Sequence, residues 1–312
     1  MVQSRRAASP SPYLLLVLPP LLWSGNFVIG RAMRDAFEPV PLTFWRWILA
    51  GVVLAPFALA LTWRHRAVIA RYPLLLIALG VTGVGWFHLS VYYGLQTSTA
   101  INAGLLMATG PMMIAALSWM AYGEALSLRY LAGLLLSLAG ATVVIARGDA
   151  AALLALEINE GDIWLFGAAM LWAVYSVLLK RRPPELPPLA LLFITIVVGA
   201  ISLAPLFVWQ SGFALGFEPG IETLGTLLYV SLLASLLAYQ FWNRGVREAG
   251  PSRAGLYMYL MPFFSAVLSV IALGEPIAPF HVVGGGLIFG GIALAVMRRR
   301  PAAAAVTASE GE

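Results

Sequence analysis

The chain has 312 residues, of which 61% are hydrophobic and only 11% charged, with a mean hydropathy of +0.87. Soluble domains carry roughly 45–50% apolar and about 25% charged residues, so a single water-soluble core is excluded and several membrane spans are implied. The net charge of +5 comes from basic residues in short stretches between apolar runs rather than on a solvated face, which argues against nucleic acid as a partner, and the absence of cysteine excludes a disulfide framework, a thiolate metal site and a cysteine nucleophile.

Ten apolar stretches follow one another, each long enough to cross the roughly 30 Å hydrocarbon core as a helix. The first, 13–33, comes after Arg5 and Arg6 and carries Pro19 and Pro20. It continues through Trp23 to Gly30 without a small-residue cleavage site, so it reads as a retained span rather than a signal peptide. The others are 41–62, 73–96, 99–121, 128–146, 161–180, 188–209, 222–246, 252–273 and 279–297. Turn-forming clusters separate them, as at Glu38-Pro39-Val40-Pro41, Arg182-Pro183-Pro184-Glu185 and Gly274-Glu275-Pro276. The tails, 1–12 and 298–312, are expected in the cytoplasm, the second of them disordered.

Basic residues set the orientation. With the N-terminus in the cytoplasm, fifteen of the 19 Lys and Arg fall in cytoplasmic segments, among them Arg64, Arg66 and Arg71, Lys180 to Arg182, and Arg298 to Arg300. Only Arg31, Arg34 and Arg147 fall on the other side, and Arg46 falls inside the second span. This positive-inside bias predicts a multi-pass protein of the bacterial inner (plasma) membrane with both termini cytoplasmic.

The sequence also repeats itself. At a shift of 151, Gly94 meets Gly245, Ala103-Gly104-Leu105 meets Ala254-Gly255-Leu256, and Met107 meets Met258. Pro111 meets Pro262, Gly123-Glu124 meets Gly274-Glu275, and Gly133 and Gly140 meet Gly284 and Gly291. At a shift of 149, Leu22-Trp23 meets Leu171-Trp172. The repeated unit, 13–146 and again 161–297, is five spans long. An odd number inserts the second copy upside down, so the fold class is an all-α membrane protein of ten helices in two inverted five-helix repeats. Transporters of this kind hold their cargo near the midplane between the repeats.

The duplicated five-span unit, the Trp23/Trp172 pair, the Ala-Gly segments leading to Pro111 and Pro262, and the Gly-Glu pairs resemble the EamA branch of the drug/metabolite transporter superfamily. Within it the chain is most similar to YddG-type amino-acid exporters. The resemblance implies a bundle in which spans 1, 3, 4, 6, 8 and 9 surround a central cavity.

Candidate cavity residues follow from polarity at depth. Span 3 carries His88, Tyr92 and Gln96 on one face, and the repeat places Tyr239, Asn243 and Arg247 at the matching positions of span 8, with Ser231 and Ser235 extending that face. Polar groups in a bilayer face protein or water, so both stripes point inward, to line a cavity or to bond helix to helix. Spans 1 and 6 add Trp23, Asn26, Trp172 and Tyr175, span 4 adds Asn102, and span 9 adds Tyr259. Pro111 and Pro262 kink spans 4 and 9, either shaping packing alone or freeing the carbonyls of Met107 and Met258 at midplane. Trp45, Trp47, Trp63 and Trp164 are expected at the interfaces. Arg46, in a span the resemblance places at the periphery, is expected to snorkel or cap a neighbour. Glu124 and Glu275 read as gate or loop-anchoring residues.

What is missing shapes the mechanism. No Asp or Glu lies in the middle third of any span, no Gly-Lys-Ser/Thr phosphate loop is present, and no His-Glu-x-x-His or paired-carboxylate constellation exists. The chain is therefore expected to be a transporter and not an enzyme. Its expected activity is facilitative export of neutral or aromatic amino acids, or related small metabolites, by alternating access. The alternative is a broad-specificity drug or metabolite exporter with proton coupling. Neither metal nor cofactor is expected. The partners are a small-molecule substrate and the lipid bilayer, and the oligomeric state stays open, a monomer included.

Overall fold

The computed structural model describes residues 11–33, 36–212, 214–273 and 276–297. The expectations for the two tails, Arg34, Glu275 and Arg298 to Arg300, and for the Arg31 side chain, lie outside the described residues. Those residues form helices and connecting turns, with no strand among them. Among the described residues, nine helices are long and apolar enough to span a membrane. They are α2 (Pro39–Arg64), α3 (Pro73–Thr97), α4 (Ala100–Tyr122), α5 (Leu128–Ile145), α6 (Glu160–Arg181), α7 (Pro188–Ser211), α8 (Ile221–Ala249), α9 (Pro251–Ile271) and α10 (Pro279–Val296).

Ahead of them stands α1 (Leu18–Ala32), of 15 residues. At 1.5 Å per residue it reaches only about 22 Å. The expected first span is broken at Leu16 and Val17, after a turn of helix over Pro12–Leu15. The cause is in the sequence: Pro19 and Pro20 have no N–H to return to the carbonyls four residues back.

Large apolar side chains point outward along the bundle, such as Phe57 on α2 and Ile201 on α7, as lipid contact requires. The ends of α2, α4, α6 and α8 share one face with Arg64, Lys180, Arg181 and Arg247, hereafter the basic face.

The two halves meet along α5 and α10, which pack closely together. A Cβ on Gly133 would lie 2.5 Å from the Gly291 carbonyl oxygen, and one on Gly140 would lie 2.6 Å from that of Gly284. The repeat equates Gly133 with Gly284 and Gly140 with Gly291, so each glycine touches the counterpart of the other. Such an exchanged pairing is what a two-fold axis through a self-complementary contact produces. Here it runs between antiparallel helices, as inverted repeats demand.

Four spans depart from α geometry, in two matched pairs. α4 is interrupted at Thr109, just ahead of Pro111, and α9 passes through a 3₁₀ turn at Tyr257–Tyr259, just ahead of Pro262. α3 contains a π-helical segment at Gly80–Gly85, and α8 one at Tyr229–Leu237. The π segments were not anticipated, since hydropathy does not distinguish them from α-helix.

The glycine contact generates a stability prediction. Gly140→Ala should lower the unfolding midpoint of the purified protein, overpacking costing roughly 1–3 kcal/mol. Gly167→Ala is the control, because a Cβ there meets nothing within 4 Å. Equal midpoints for the two variants would contradict the assigned contact.

Candidate functional site

A π segment disturbs the backbone ladder and leaves carbonyls to be satisfied by other donors. In α3 the Gly83 carbonyl accepts from the Tyr239 hydroxyl of α8. In α8 the Ala234 carbonyl accepts from Trp23 Nε1 of α1, at 3.0 Å. Gly83 and Ala234 are equivalent under the 151-residue shift. Each half thus donates an aromatic hydrogen bond to the same carbonyl of the other. Gly83 must be glycine here, because a Cβ would lie 2.2 Å from the Tyr175 ring.

These bonds place the core of an aromatic cluster. Trp23 meets Trp172 edge-on at 5.0 Å between ring centroids, and Tyr239 lies 5.6 Å from Trp172. Tyr175 lies 5.2 Å from Trp172 and His88 lies 6.1 Å from Tyr239. Trp23, His88, Trp172, Tyr175 and Tyr239, widely separated in sequence, are therefore brought together. Phe87 and Trp242 join them, packed on Trp172 at 4.8 and 5.3 Å. Sequence reasoning missed both, although Trp242 follows Tyr239 by three residues on the same face of α8.

Two neighbouring cavities lie at the cluster. The larger, about 280 Å³, is lined from α3, α4, α5, α9 and α10, with Arg147 and His281 toward the face opposite the basic one. Its deep end includes Tyr259, Pro262 and three methionines, Met107, Met258 and Met261. The smaller, about 10 Å³, is room for roughly one water. It is lined by Trp23, Asn26, Phe87, His88 and Trp172, and by the same three methionines. The larger cavity thus draws on α5 and α10, which the resemblance did not include, while α8 contributes its rings to the cluster below.

Arg46 departs furthest from expectation. It is not peripheral: its exposure is 0%, and its side chain runs inward. Nε donates to Ser235 Oγ at 2.6 Å, in the π segment of α8. Nη1 donates to the Tyr92 hydroxyl at 2.9 Å and to Asn26 Oδ1 at 3.2 Å. Tyr92 in turn donates to Asn26 at 3.1 Å. Trp47 is likewise no interfacial anchor: it is fully buried, 5.4 Å from both His88 and Tyr239. α2 lies along α7 and the α8 π segment, and this turns both residues inward. Trp63 is exposed, Trp164 stacks on Tyr93 at 5.2 Å, and Trp45 is half-buried against Phe207.

Other sequence candidates are placed elsewhere. Asn102 does not face the cluster: its amide donates to Asp162 at 2.7 Å and to the Glu157 carbonyl at 2.8 Å. Ser98 completes that network with a 2.5 Å bond to Asp162. Tyr175 donates to Asn243 at 2.7 Å, which occupies the Asn243 oxygen.

At the basic face, Glu124 joins three elements. It accepts from Lys180 of α6 at 2.6 Å and from the Ser252 hydroxyl of α9 at 2.6 Å. The Tyr130 hydroxyl of α5 donates to the Ser252 carbonyl at 2.9 Å. Burial pushes the Glu124 carboxyl up, but hydrogen bonds from Lys180 and Ser252 and the charges of Lys180 and Arg253 outweigh it, holding the group below its ordinary value.

A model of the EamA-like transporter family matches residues 10–146 and again 159–297. An uncharacterized transporter of Archaeoglobus fulgidus is 30% identical over 298 residues, covering 92% of this chain and 98% of that one. The aromatic amino acid exporter YddG of Ancylobacter novellus is 26% identical, covering 90% and 95% respectively. A crystal structure 23% identical to the chain superposes with a TM-score of 0.75, over 93% of this chain and 97% of that one, and shows the same fold. With both halves matched, the chain belongs to the EamA-like transporter family and is a multi-pass membrane protein.

Proposed function

We propose that the protein exports neutral and aromatic amino acids, or closely related small metabolites, across the bacterial inner membrane by facilitative alternating access. The observation that carries this reading is the aromatic, carboxylate-free cluster at the junction of the inverted repeats, beneath a cavity lined toward the face opposite the basic one by Arg147 and His281. The cavity's size approaches the roughly 300–1,000 Å³ of small-molecule sites. Ring faces suit an apolar side chain and an ammonium group. Among the described residues no buried carboxylate faces the cluster, which supports a carrier that does not exchange a proton for a cation there in the manner of proton-driven cation exporters. The positive-inside bias puts the basic face in the cytoplasm, which makes the described state open to the outside. The aromatic amino acid export named for the Ancylobacter relative supports the cargo class.

Purified protein in liposomes should accelerate counterflow of labelled phenylalanine and leucine with no proton gradient imposed. A strict need for the gradient would overturn the facilitative mechanism, and inactivity toward all neutral amino acids would overturn the cargo class. Trp172→Ala should raise the KM for phenylalanine by about 3- to 10-fold, the scale of one aromatic contact of roughly 0.5–1.5 kcal/mol. An unchanged KM would remove Trp172 from the site.

Alternating access further requires that the Glu124 junction hold the basic face shut. A depressed carboxyl pKa means that the charged form prefers the joined state. The junction is therefore intact above the ordinary carboxylate value and is lost only as pH falls through the depressed one, so it stays closed across the neutral range. Glu124→Gln mimics the protonated form. Ser176, buried behind the junction, converts to a unique reporter as Ser176→Cys because the chain has no cysteine. Its labelling by an impermeant thiol reagent from the basic face should quicken roughly two- to five-fold in the Gln background, a partly exposed pair being worth about 0.2–1 kcal/mol. Unchanged labelling would take Glu124 out of the gate.

A further inference from the structure

The chemistry around Arg46 is unbalanced. A guanidinium keeps its charge even when buried, and removing it from water is costly unless an anion accompanies it. Arg46 has only neutral acceptors: Ser235, Asn26 and Tyr92. Its Nη2 is buried without a hydrogen-bond partner. The ring of Trp47, 5.3 Å from Cζ, offers a π face but no negative charge. Among the described residues the one buried carboxylate is that of Asp162, whose oxygens are taken by Ser98, Asn102 and the backbone of Asn159.

Neighbouring groups tilt the same way. Trp47 Nε1, Trp172 Nε1 and Trp242 Nε1 are buried and unpartnered, and an indole nitrogen can only donate. The centre of the molecule therefore has an excess of donors and of positive charge. The frame itself does not need a cation at this place. At the 149-residue shift Arg46 meets Thr195, whose hydroxyl is satisfied within its own helix by the Leu192 carbonyl at 2.9 Å.

We propose that Arg46 is the anion-recognition residue of the transport site, binding the carboxylate of the cargo through its free Nη2 edge. This rests on the cluster being the cargo site. Arg46 stands directly behind Asn26, which together with His88 lines the small cavity. The floor between that cavity and the large one is Met107, Met258 and Met261. Methionine side chains rotate readily, so displacing them joins the two spaces and admits a carboxylate to the Asn26–His88 corner. The apolar side chain of the cargo then lies against Trp23 and Trp172. Arg46 so selects molecules that carry an acid group and rejects amines that lack one.

Ligand-induced thermal stabilisation and tryptophan quenching of the detergent-purified full chain test this with three probes. They are phenylalanine, 3-phenylpropionate, which lacks the ammonium, and phenethylamine, which lacks the carboxylate. Wild-type protein should bind the first two and be at least about ten-fold weaker toward phenethylamine, as expected for loss of a hydrogen bond to a charged group. Arg46→Gln should weaken phenylalanine and phenylpropionate by about ten-fold or more and leave phenethylamine within about two-fold. Arg46→Lys, which keeps the charge but not the planar fork, should fall between. Phenethylamine binding the wild type as tightly as phenylpropionate would overturn the proposal without any variant, whether or not Arg46→Gln folds. So would an equal loss for all three probes in a folded Arg46→Gln protein. If phenylalanine fails to bind the wild type, the amino-acid reading falls, and the contrast between phenylpropionate and phenethylamine still decides the role of Arg46.

Discussion

Inside a bilayer a backbone carbonyl that leaves the helical ladder has no water to turn to, and must find a donor in the protein. This constraint organises the centre of the molecule. The π segments of α3 and α8 release carbonyls at Gly83 and Ala234, and the donors come from the opposite halves, Tyr239 and Trp23. The Val230 carbonyl of the α8 segment is met within its own half, by the Ser235 hydroxyl at 2.8 Å, but those of Gly83 and Ala234 draw on the other half. The hydrogen bonds fix where two rings stand, and Trp172, Trp242, Phe87 and His88 pack around them. The irregular backbone, the cross-repeat bonds and the aromatic cluster are thus a single arrangement, placed where the two-fold relation superposes the halves.

Symmetry supplies that frame, and departures from it supply the chemistry. Trp23 and Trp172 are matched, as are Met107 and Met258; all four line the smaller cavity, and the two methionines line both. His88 is matched by Tyr239, and Arg46 by Thr195, so the polar groups stand on one side of the cluster. Arg46 gathers Asn26 of α1, Tyr92 of α3 and Ser235 of α8 onto one guanidinium. A neutral hydroxyl at the equivalent place in α7 bonds only its own helix. Positive charge is therefore concentrated at one corner of an otherwise apolar site, which gives a bound molecule one orientation rather than two.

The spans, the repeat and the meeting of Trp23, His88, Trp172 and Tyr239 were legible in the sequence because they depend on composition, spacing and matched Gly and Pro. Arg46 and Trp47 were misread because distance from a span end says nothing about which way a side chain faces. A signal was present: Thr43, Trp47, Ala50, Leu54 and Ala58 recur every three or four residues, and all of these are buried. That stripe marks the inward face of α2. Asn102 shows a different limit of the sequence. Its polarity at a helix start pointed inward, but Asp162, distant in sequence, captured its amide. The π segments at Gly80–Gly85 and Tyr229–Leu237 carried no hydropathy signal.

The strengths of the contacts decide which part of the structure moves. The α5–α10 seam brings glycine backbones together, with Ser137 and Val144 packed tightly against Gly291 and Gly284. α4 and α6 are tied at both ends, through Asp162 on one face and Glu124 with Lys180 on the other. α9 is held at the basic face through Ser252, by a hydroxyl hydrogen bond to Glu124 of about 1.5–3 kcal/mol and by a carbonyl hydrogen bond from Tyr130 of α5 of about 1 kcal/mol. At the other end it borders the open cavity. The cheapest rearrangement therefore swings α9 about its 3₁₀ turn at Tyr257–Tyr259. It releases Ser252 and Glu124 while the glycine seam stays closed. The methionines that floor the cavity ride on the same two helices, Met107 on α4 and Met258 and Met261 on α9, so the floor and the basic-face junction are carried by one pair of elements.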